Sequence, residues 1–484
     1  MSAPSALPTQ RVRIPFLRLP CFVDGDEVRY GNGARQEVSS SEAAMVRAVF
    51  AGGVTLEELV EIGGLDAGRD TMEATEDLAR VFSDPRNAIG VLELEAPLDP
   101  EIIVVEQGYG GVYVHTVELF KELRKRWRCL LLSPVEPLFE PEPLPDVLTL
   151  ERLCRARPEL DYFTWVQVVR TLVKRSRCRL LLVTHRSQSL FLFDVLQRHR
   201  TVIYCDGYFD GAFRRVHDFR LDETEESRRA VLEELYYVIA NGPPHFYGVL
   251  AAPSINVRML MAGAYSLDAA VENWCWGKEQ HEHFTSAFPG IAASIKLMLP
   301  FTNPNLFRPA EAKEREPRVL FTTTMHNIHE KGLPELVEAM TKATEIRTRV
   351  VVRQPERLPK IPARVLARME IGGVSKDAMT TLYHRMWVNC RTSRSESSPM
   401  SILESMTCEL PQIVSPIVAR QIPILEDGAT GFIVDPDDSD GLVWALQRIL
   451  GDRALRDRMG RECRRRANQL SFEARSGEFE RLLA

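Results

Sequence analysis

The chain has 484 residues, too many for one ordinary core, which predicts two or three domains. It is 45% hydrophobic and 26% charged, the balance of a globular protein, and 61 basic against 67 acidic residues leave a net charge of −6. That balance excludes a nucleic-acid binder held mainly by phosphate contacts, so no nucleic-acid partner is expected.

Nine cysteines, with no CxxC pair, read as scattered reduced thiols rather than a disulfide framework or a zinc site. No apolar run approaches the roughly eighteen residues that suggest a spanning helix. The stretch MSAPSALPTQRVRIPF has no signal-peptide core, and a cytoplasmic location is expected.

In chain order, residues 1–97 stand apart as a small α+β module. EVRYGNGARQEV predicts a hairpin turning at Gly31, Asn32 and Gly33. SSSEAAMVRAVFAGG predicts a helix capped by serine and stopped by glycines, and TLEELVEIGG repeats that start and stop. TMEATEDLARVFSD reads as a third helix and IGVLEL as a closing strand.

Residues 98–308 alternate short apolar strands, EIIVVEQ, CLLLSP, CRLLLVTH and TVIYCDG, with helical patterns such as GVYVHTVELFKELRKR and WVQVVRTLVKRS. This βα series predicts a parallel sheet covered on both faces. LPFTNPNLFRPAEAKEREP reads as a linker. The rhythm then restarts in residues 309–470 with PRVLFTTT, TRVVVR, MWVNCRT, PQIVS and GFIVDP, and residues 471–484 form a terminal helix. The fold class is therefore α/β, with two doubly wound units expected to face each other across a ligand-binding cleft at the carboxyl ends of their strands. The basic runs KELRKRWR and RECRRRANQ read as solvated helix faces, with weak peripheral membrane contact as the alternative.

SESSPMSILESM sets Glu396 in a loop and Glu404 inside the helix that follows. Pro399 suits the first helical position, with Ser398 as its cap. The free N–H groups of Met400 and Ser401, with the helix dipole, then make an anion site suited to a diphosphate. Glu404 can accept hydrogen bonds from two vicinal hydroxyls, as on a ribose, while Glu396 reaches polar groups across the phosphates. A diphosphate between two hydroxyl-reading carboxylates describes a nucleotide sugar. The plain alternative is an amphipathic helix with solvated glutamates.

The surrounding sequence resembles the C-terminal domain of glycosyltransferase family 4, retaining enzymes of the GT-B fold. The likeness rests on the E-x7-E pair Glu396 and Glu404, on ESMTCELPQIVS, and on EDGATGFIVDPDD. FTTTMHNIHEKGLPELVEAM matches the segment with the phosphate-binding lysine, here Lys331. GYGGVYVHTVELFKEL matches the glycine loop after the first strand, here Gly110 and Gly111. The resemblance implies transfer of a hexose from a UDP or GDP sugar, without a metal or resident cofactor. Glu404 would bind the donor ribose, Glu396 the transferred sugar, and the backbone of Pro399, Met400 and Ser401 the sugar and phosphate. Lys331 would neutralise the leaving diphosphate. Where the family usually carries an arginine this chain has His326, a weaker, pH-dependent cation. Asp206 matches the acceptor-side residue that orients or deprotonates the acceptor hydroxyl, with a turn aspartate as the alternative. His185 is a second acceptor-side candidate.

The order hairpin, three helices and strand in residues 1–97 resembles the PqqD-like peptide chaperones, winged-helix modules that bind leader peptides by strand addition. That likeness implies a peptide or protein acceptor; a structural cap on the next domain is the alternative. Polysaccharide, lipid-linked and natural-product acceptors remain open, as does a degenerate, non-catalytic protein that binds nucleotide sugar or peptide. A nucleotide-cofactor dehydrogenase ranks behind these, since no GxGxxG follows the first strand.

Overall fold

A computed structural model describes residues 9–484 except 19–20, 25–26, 31–34, 65–88, 98, 107–109, 138–145, 186–188, 206–223, 225–228, 234, 237–265, 310–316, 324–329, 353–354, 356–357 and 397. The chain divides into two compact units. One holds Met1–Cys205 with Phe209–Trp274 and Ala287–Ser294, and the other holds Cys275–Ser286 and Ile295–Ala484.

In the first unit, Thr9–Leu17 (β1) pairs antiparallel with Ile89–Pro97 (β5), Thr9 opposite Pro97 and Leu17 opposite Ile89. A second small sheet has the order Cys21–Asp24 (β2), Glu27–Tyr30 (β3) and Arg35–Glu37 (β4). The antiparallel pairing of β3 and β4 is the expected hairpin, although its turn at 31–34 lies outside the described residues. Helices Ser40–Ala51 and Leu56–Ile62 start at Ser39 and Thr55. Each is a full capping box closed by Glu42 or Glu58, so two otherwise orphaned backbone donors are satisfied at each start. The expected third helix lies outside the described residues. Strand β1 was not among the sequence expectations. Val12, Ile14 and Phe16 are buried, but Pro15 and Leu17 are buried as well, and the proline breaks the pattern.

Helix Tyr162–Arg175 holds this module. The Gln167 side-chain amide bonds both backbone groups of Leu17, at 2.8 and 3.0 Å, as a neighbouring strand would. Thr171 accepts from Gly53 N–H at 3.1 Å, and Lys174 donates to the Gly52 carbonyl at 2.8 Å. Arg170 donates to the Ala51 carbonyl at 3.2 Å. Two cations thus sit on the last carbonyls of Ser40–Ala51, the negative end of that helix.

The remainder of the first unit is a sheet ordered β8-β7-β6-β9-β10-β11, made of Val147–Thr149, Cys129–Ser133, Ile102–Val105, Leu180–Val183, Thr201–Cys205 and Glu272–Cys275. β6 pairs in parallel with β7 and β9, β7 with β8, and β9 with β10. All four residues of β6 are buried, as a strand covered on both faces requires.

After Ile295–Leu297 (β12), the second unit carries an all-parallel sheet ordered β15-β14-β13-β16-β17-β18. Its strands are Arg318–Thr322 (β13), Arg347–Val351 (β14), Met369–Gly372 (β15), Val388–Arg391 (β16), Gln412–Val414 (β17) and Gly431–Ile433 (β18). Numbered by appearance, the second sheet runs 3-2-1-4-5-6, and strands β6 to β11 of the first follow the same order, the doubly wound order with one switch point between the first and fourth strands. The short edge strand β15, MEIG, was not foreseen because it lacks an apolar run. In the stretch read as a linker, Phe301 and Phe307 are buried, Phe301 beside Phe472 and Phe479 of the terminal helix Phe472–Leu483 and Phe307 beside Tyr383.

The basic runs are paired with acid: Arg124 with Asp146, Lys125 with Glu122, Arg128 with Asp99, and Arg465 and Arg466 with Glu462. Among the described residues no helix is long and apolar enough to cross a membrane.

Candidate functional site

The switch point of the second sheet lies between β13 and β16. Their carboxyl ends, Thr322 and Arg391, lead into the two segments that carry the predicted site residues. Beyond β16 the chain runs through Thr392 and Ser393 to Glu396 and then enters helix Met400–Thr407. Beyond β13, residues 324–329, including His326, lie outside the described residues, and the chain is described again from Glu330 through Lys331 to Gly332.

Gly332 fixes Lys331 in place. It has φ +91°, and a Cβ there would meet the Thr392 carbonyl oxygen at 2.7 Å. Only glycine lets this turn lie flat against the end of β16. So placed, Lys331 Nζ lies 2.8 Å from Glu396 Oε2 and donates to the Ser395 carbonyl at 3.0 Å. The other oxygen, Glu396 Oε1, accepts from Arg391 Nε at 2.9 Å and Ser393 Oγ at 3.1 Å, with Arg391 Nη2 also at 2.9 Å. Glu396 and Arg391 are each 7% exposed. Burial pushes the Glu396 carboxyl up, but Arg391 and Lys331 outweigh it and hold the group below the usual carboxylate range. Glu396 is thus a fixed anion suited to accepting hydrogen bonds rather than to giving up a proton. Its backbone is held as well, since Gln421 Nε2 donates to the Glu396 carbonyl and to Glu279 Oε2, both at 3.1 Å.

The helix start differs from expectation. Pro399 is the N-cap itself, at φ −69° and ψ 111°, Met400 is the first helical residue, and no side chain caps the helix. Ser398 is not the cap: its Oγ is buried and has no hydrogen-bond partner among the described residues. Leaving out a side-chain oxygen keeps the first backbone donors open to an outside anion. Ser401 Oγ accepts from Thr322 Oγ1 at 3.0 Å, tying the helix start to the end of β13. The helix is seated by Ile402, Leu403 and Met406 in the core and by a buried amide network in which Asn389 donates to Gln412 Oε1 at 2.9 Å and Gln412 to Ser405 Oγ at 3.1 Å. Gln412 also lies against Gly431, at φ +150°, where any Cβ would run into the Gln412 backbone. Glu404 emerges half-buried one turn in and accepts from Tyr383 Oη at 2.8 Å.

In the first unit, helix Gly110–Leu123 begins at the predicted glycine pair, just beyond β6, and His185 is buried just beyond β9. Gly110, Gly111 and His185 therefore flank the switch point of that sheet, between β6 and β9. Asp206 lies outside the described residues. Sequence reasoning missed Arg391, Ser393, Gln421 and Tyr383. Arg391 had left a signal, a charged residue closing the apolar strand VNCR immediately before the site loop.

Residues 304–466 match the family model for glycosyl transferases group 1. The sulfoquinovosyl transferase of Arabidopsis thaliana is 28% identical over 149 residues, 30% of this chain, and the chain spans 29% of that curated relative's length. The solved structure of Anabaena HepE in complex with UDP and glucose is similar at TM-score 0.54 and 14% identity, covering 80% of this chain and 99% of that one. Sucrose-phosphate synthase of Thermosynechococcus elongatus is similar at TM-score 0.54 and 18% identity, covering 79% and 98%. With two parallel sheets of doubly wound order, these likenesses give the chain the GT-B fold.

Proposed function

We propose that the chain is a retaining glycosyltransferase of the family 4 type, moving a hexose from a UDP or GDP sugar to an acceptor hydroxyl on a peptide or protein. One observation carries the donor half of this reading. Lys331, the Glu396 carboxylate and the bare helix start at Pro399, Met400 and Ser401 meet at the switch point of a doubly wound sheet. A diphosphate on that helix start takes backbone N–H bonds and the charge of Lys331. As the bond between the anomeric carbon and the phosphate oxygen breaks, its electron pair passes to the diphosphate, where Lys331 and the helix dipole stabilise it. The Glu396 carboxylate accepts hydrogen bonds from the sugar hydroxyls and Glu404 from the ribose. The acceptor oxygen bonds to the anomeric carbon on the face the diphosphate leaves and its proton passes to the departing diphosphate oxygen, with Asp206 and His185 assigned to orient it and Gly110 and Gly111 to the backbone around it. His326 is assigned as a second, pH-dependent cation near the diphosphate. That Anabaena HepE is solved with UDP-glucose favours a UDP sugar.

The peptide half rests on the module of residues 1–97, whose β4 is an outer strand with Arg35 and Glu37 exposed. An outer strand can pair with an extended peptide. Because the module is held by helix Tyr162–Arg175, peptide binding is measured on the whole chain.

Calorimetric titration of UDP, GDP and their hexose conjugates, on the wild type and on Lys331→Ala and Glu404→Ala, tests the donor half. Micromolar binding by one nucleotide that both variants weaken supports it. Absence of binding, or a Lys331→Ala or Glu404→Ala variant that binds as tightly as the wild type, rejects it. Binding without turnover on any acceptor class points to the non-catalytic reading, and a large gain of turnover in His326→Arg strengthens that reading.

A further inference from the structure

We propose that Arg391 is a positioning residue of the donor site, holding Glu396 charged and in place so that Lys331 can leave it for a bound diphosphate. This rests on the donor-site reading above. Two cations share one carboxylate, and they approach it from different sides. Arg391, on β16, takes Oε1 through Nε and Nη2, together with Ser393. Lys331, on the glycine turn, takes Oε2. The cluster of Arg391, Lys331 and Glu396 carries one net positive charge, almost wholly buried, next to a helix start that adds partial positive charge. Such an arrangement is unbalanced until an anion arrives.

The two cations are not equivalent. Arg391 is fixed by its strand, and its guanidinium grips one oxygen with two nitrogens. Lys331 ends in a rotatable ammonium that already divides between Glu396 and the Ser395 carbonyl. When a diphosphate binds, the lysine is the cation that can transfer. Arg391 then prevents the transfer from stranding a buried, uncompensated carboxylate. Without Arg391, Lys331 would be held more tightly by Glu396, and the diphosphate would have to compete for it.

Among the described residues, Arg391 from β16 and Lys331 from the turn are charged groups that act on Glu396. Glu279 is bridged to the Glu396 backbone through Gln421, and Glu335 is paired with Arg394 at 2.8 Å.

The test measures nucleotide affinity from pH 8 to pH 5 for wild type, Arg391→Met, Arg391→Lys and the double variant Arg391→Met with Glu396→Gln, using whichever of UDP and GDP binds the wild type. Arg391→Met should lose roughly tenfold in affinity at pH 8. The deficit should shrink as pH falls, because burial then raises the carboxyl, Glu396 takes up a proton and Lys331 is released. Arg391→Lys should recover part of the loss. The double variant should bind nucleotide at least as well as the wild type at pH 8, since no carboxylate competes for Lys331, and it keeps the test open if the single variant fails to fold. A deficit independent of pH, or a double variant as weak as the single one, overturns the proposal while leaving the donor site standing. If Lys331→Ala binds nucleotide as the wild type does, or if neither nucleotide binds the wild type, the donor reading itself fails, and the proposal with it.

Discussion

Tyr383 donates its hydroxyl to Glu404 Oε2 at 2.8 Å from a ring buried in the cluster of Phe307, Leu320, Met386 and Cys408. Burial first, and the Glu404 charge next, push the hydroxyl well above its usual range, so it remains protonated and always a donor. The bond fixes the direction in which a half-buried carboxylate points. Tyr383→Phe removes one oxygen and little packing. It should weaken nucleotide binding by ~1–2 kcal/mol, less than the ~1–3 kcal/mol of Glu404→Ala, with the melting temperature nearly unchanged. Calorimetry on both variants checks this, and unaltered affinity in Tyr383→Phe alone would show that the hydroxyl does not orient Glu404.

Gly332→Ala joins two penalties, a left-handed backbone of roughly 1–2 kcal/mol and a methyl group against the Thr392 backbone. The turn must shift, and Lys331 moves with it. The expected outcome is a loss of about 2 kcal/mol or more in urea unfolding, accompanied by weakened nucleotide binding. Gly64 is the control. It has φ +66°, with nothing among the described residues within 4 Å of an added Cβ. Gly64→Ala should cost only the backbone term and leave nucleotide affinity unchanged.

Gln412→Leu should lower stability by ~2–4 kcal/mol, since the Asn389 amide and the Leu410 carbonyl, 2.9 and 2.6 Å from Gln412, each lose a buried partner. Replacing Asn389 as well, in Asn389→Leu with Gln412→Leu, should cost less than the sum of the two single changes, because removing both partners leaves fewer stranded groups. Urea midpoints for the three variants measure the difference.

The two parallel sheets were legible because β6, β9 and β13 carry apolar runs set between helical patterns, as strands buried on both faces do. β15 and β8 were not, being short edge strands without such runs. At the site, the loop position of Glu396 and the helical position of Glu404 could be read from local order, because a loop, a helix start and one helical turn lie within twelve residues of chain. The partners could not. Lys331 reaches Glu396 across 65 positions, and Tyr383 reaches Glu404 across 21, through contacts made only when the sheet assembles. The cap was misassigned because Ser398 has the chemistry of one, whereas Pro399, with no side-chain donor or acceptor, occupies the position.

The docking of the N-terminal module depends on a buried pair of opposite charge. Arg170 Nη1 and Nη2 lie 2.7 and 2.9 Å from the two oxygens of Asp194, and Nη2 also donates to the Ala51 carbonyl. Burial raises the Asp194 carboxyl, but Arg170, with Lys174, outweighs it and holds the group below its usual range. A carboxyl depressed in the folded state contributes stability above its unfolded value of ~3.9, and that contribution is lost as pH falls through the lower folded value. The wild-type pair should therefore hold the module down to pH values below ~4. Arg170→Met should remove about 3–5 kcal/mol at neutral pH by leaving Asp194 buried and uncompensated. Burial then places the carboxyl above its unfolded value, which reverses the sign, so the deficit should shrink as pH falls and Asp194 takes up a proton. Arg170→Met with Asp194→Leu should be less damaged than Arg170→Met at pH 7 and should lack this pH dependence. Thermal melts at pH 7, 5.5 and 4, with limited proteolysis between residues 52 and 89 as a readout of module release, distinguish these outcomes. A deficit in Arg170→Met that is equal at all three pH values would mean that the guanidinium holds the module through its bond to Ala51 alone.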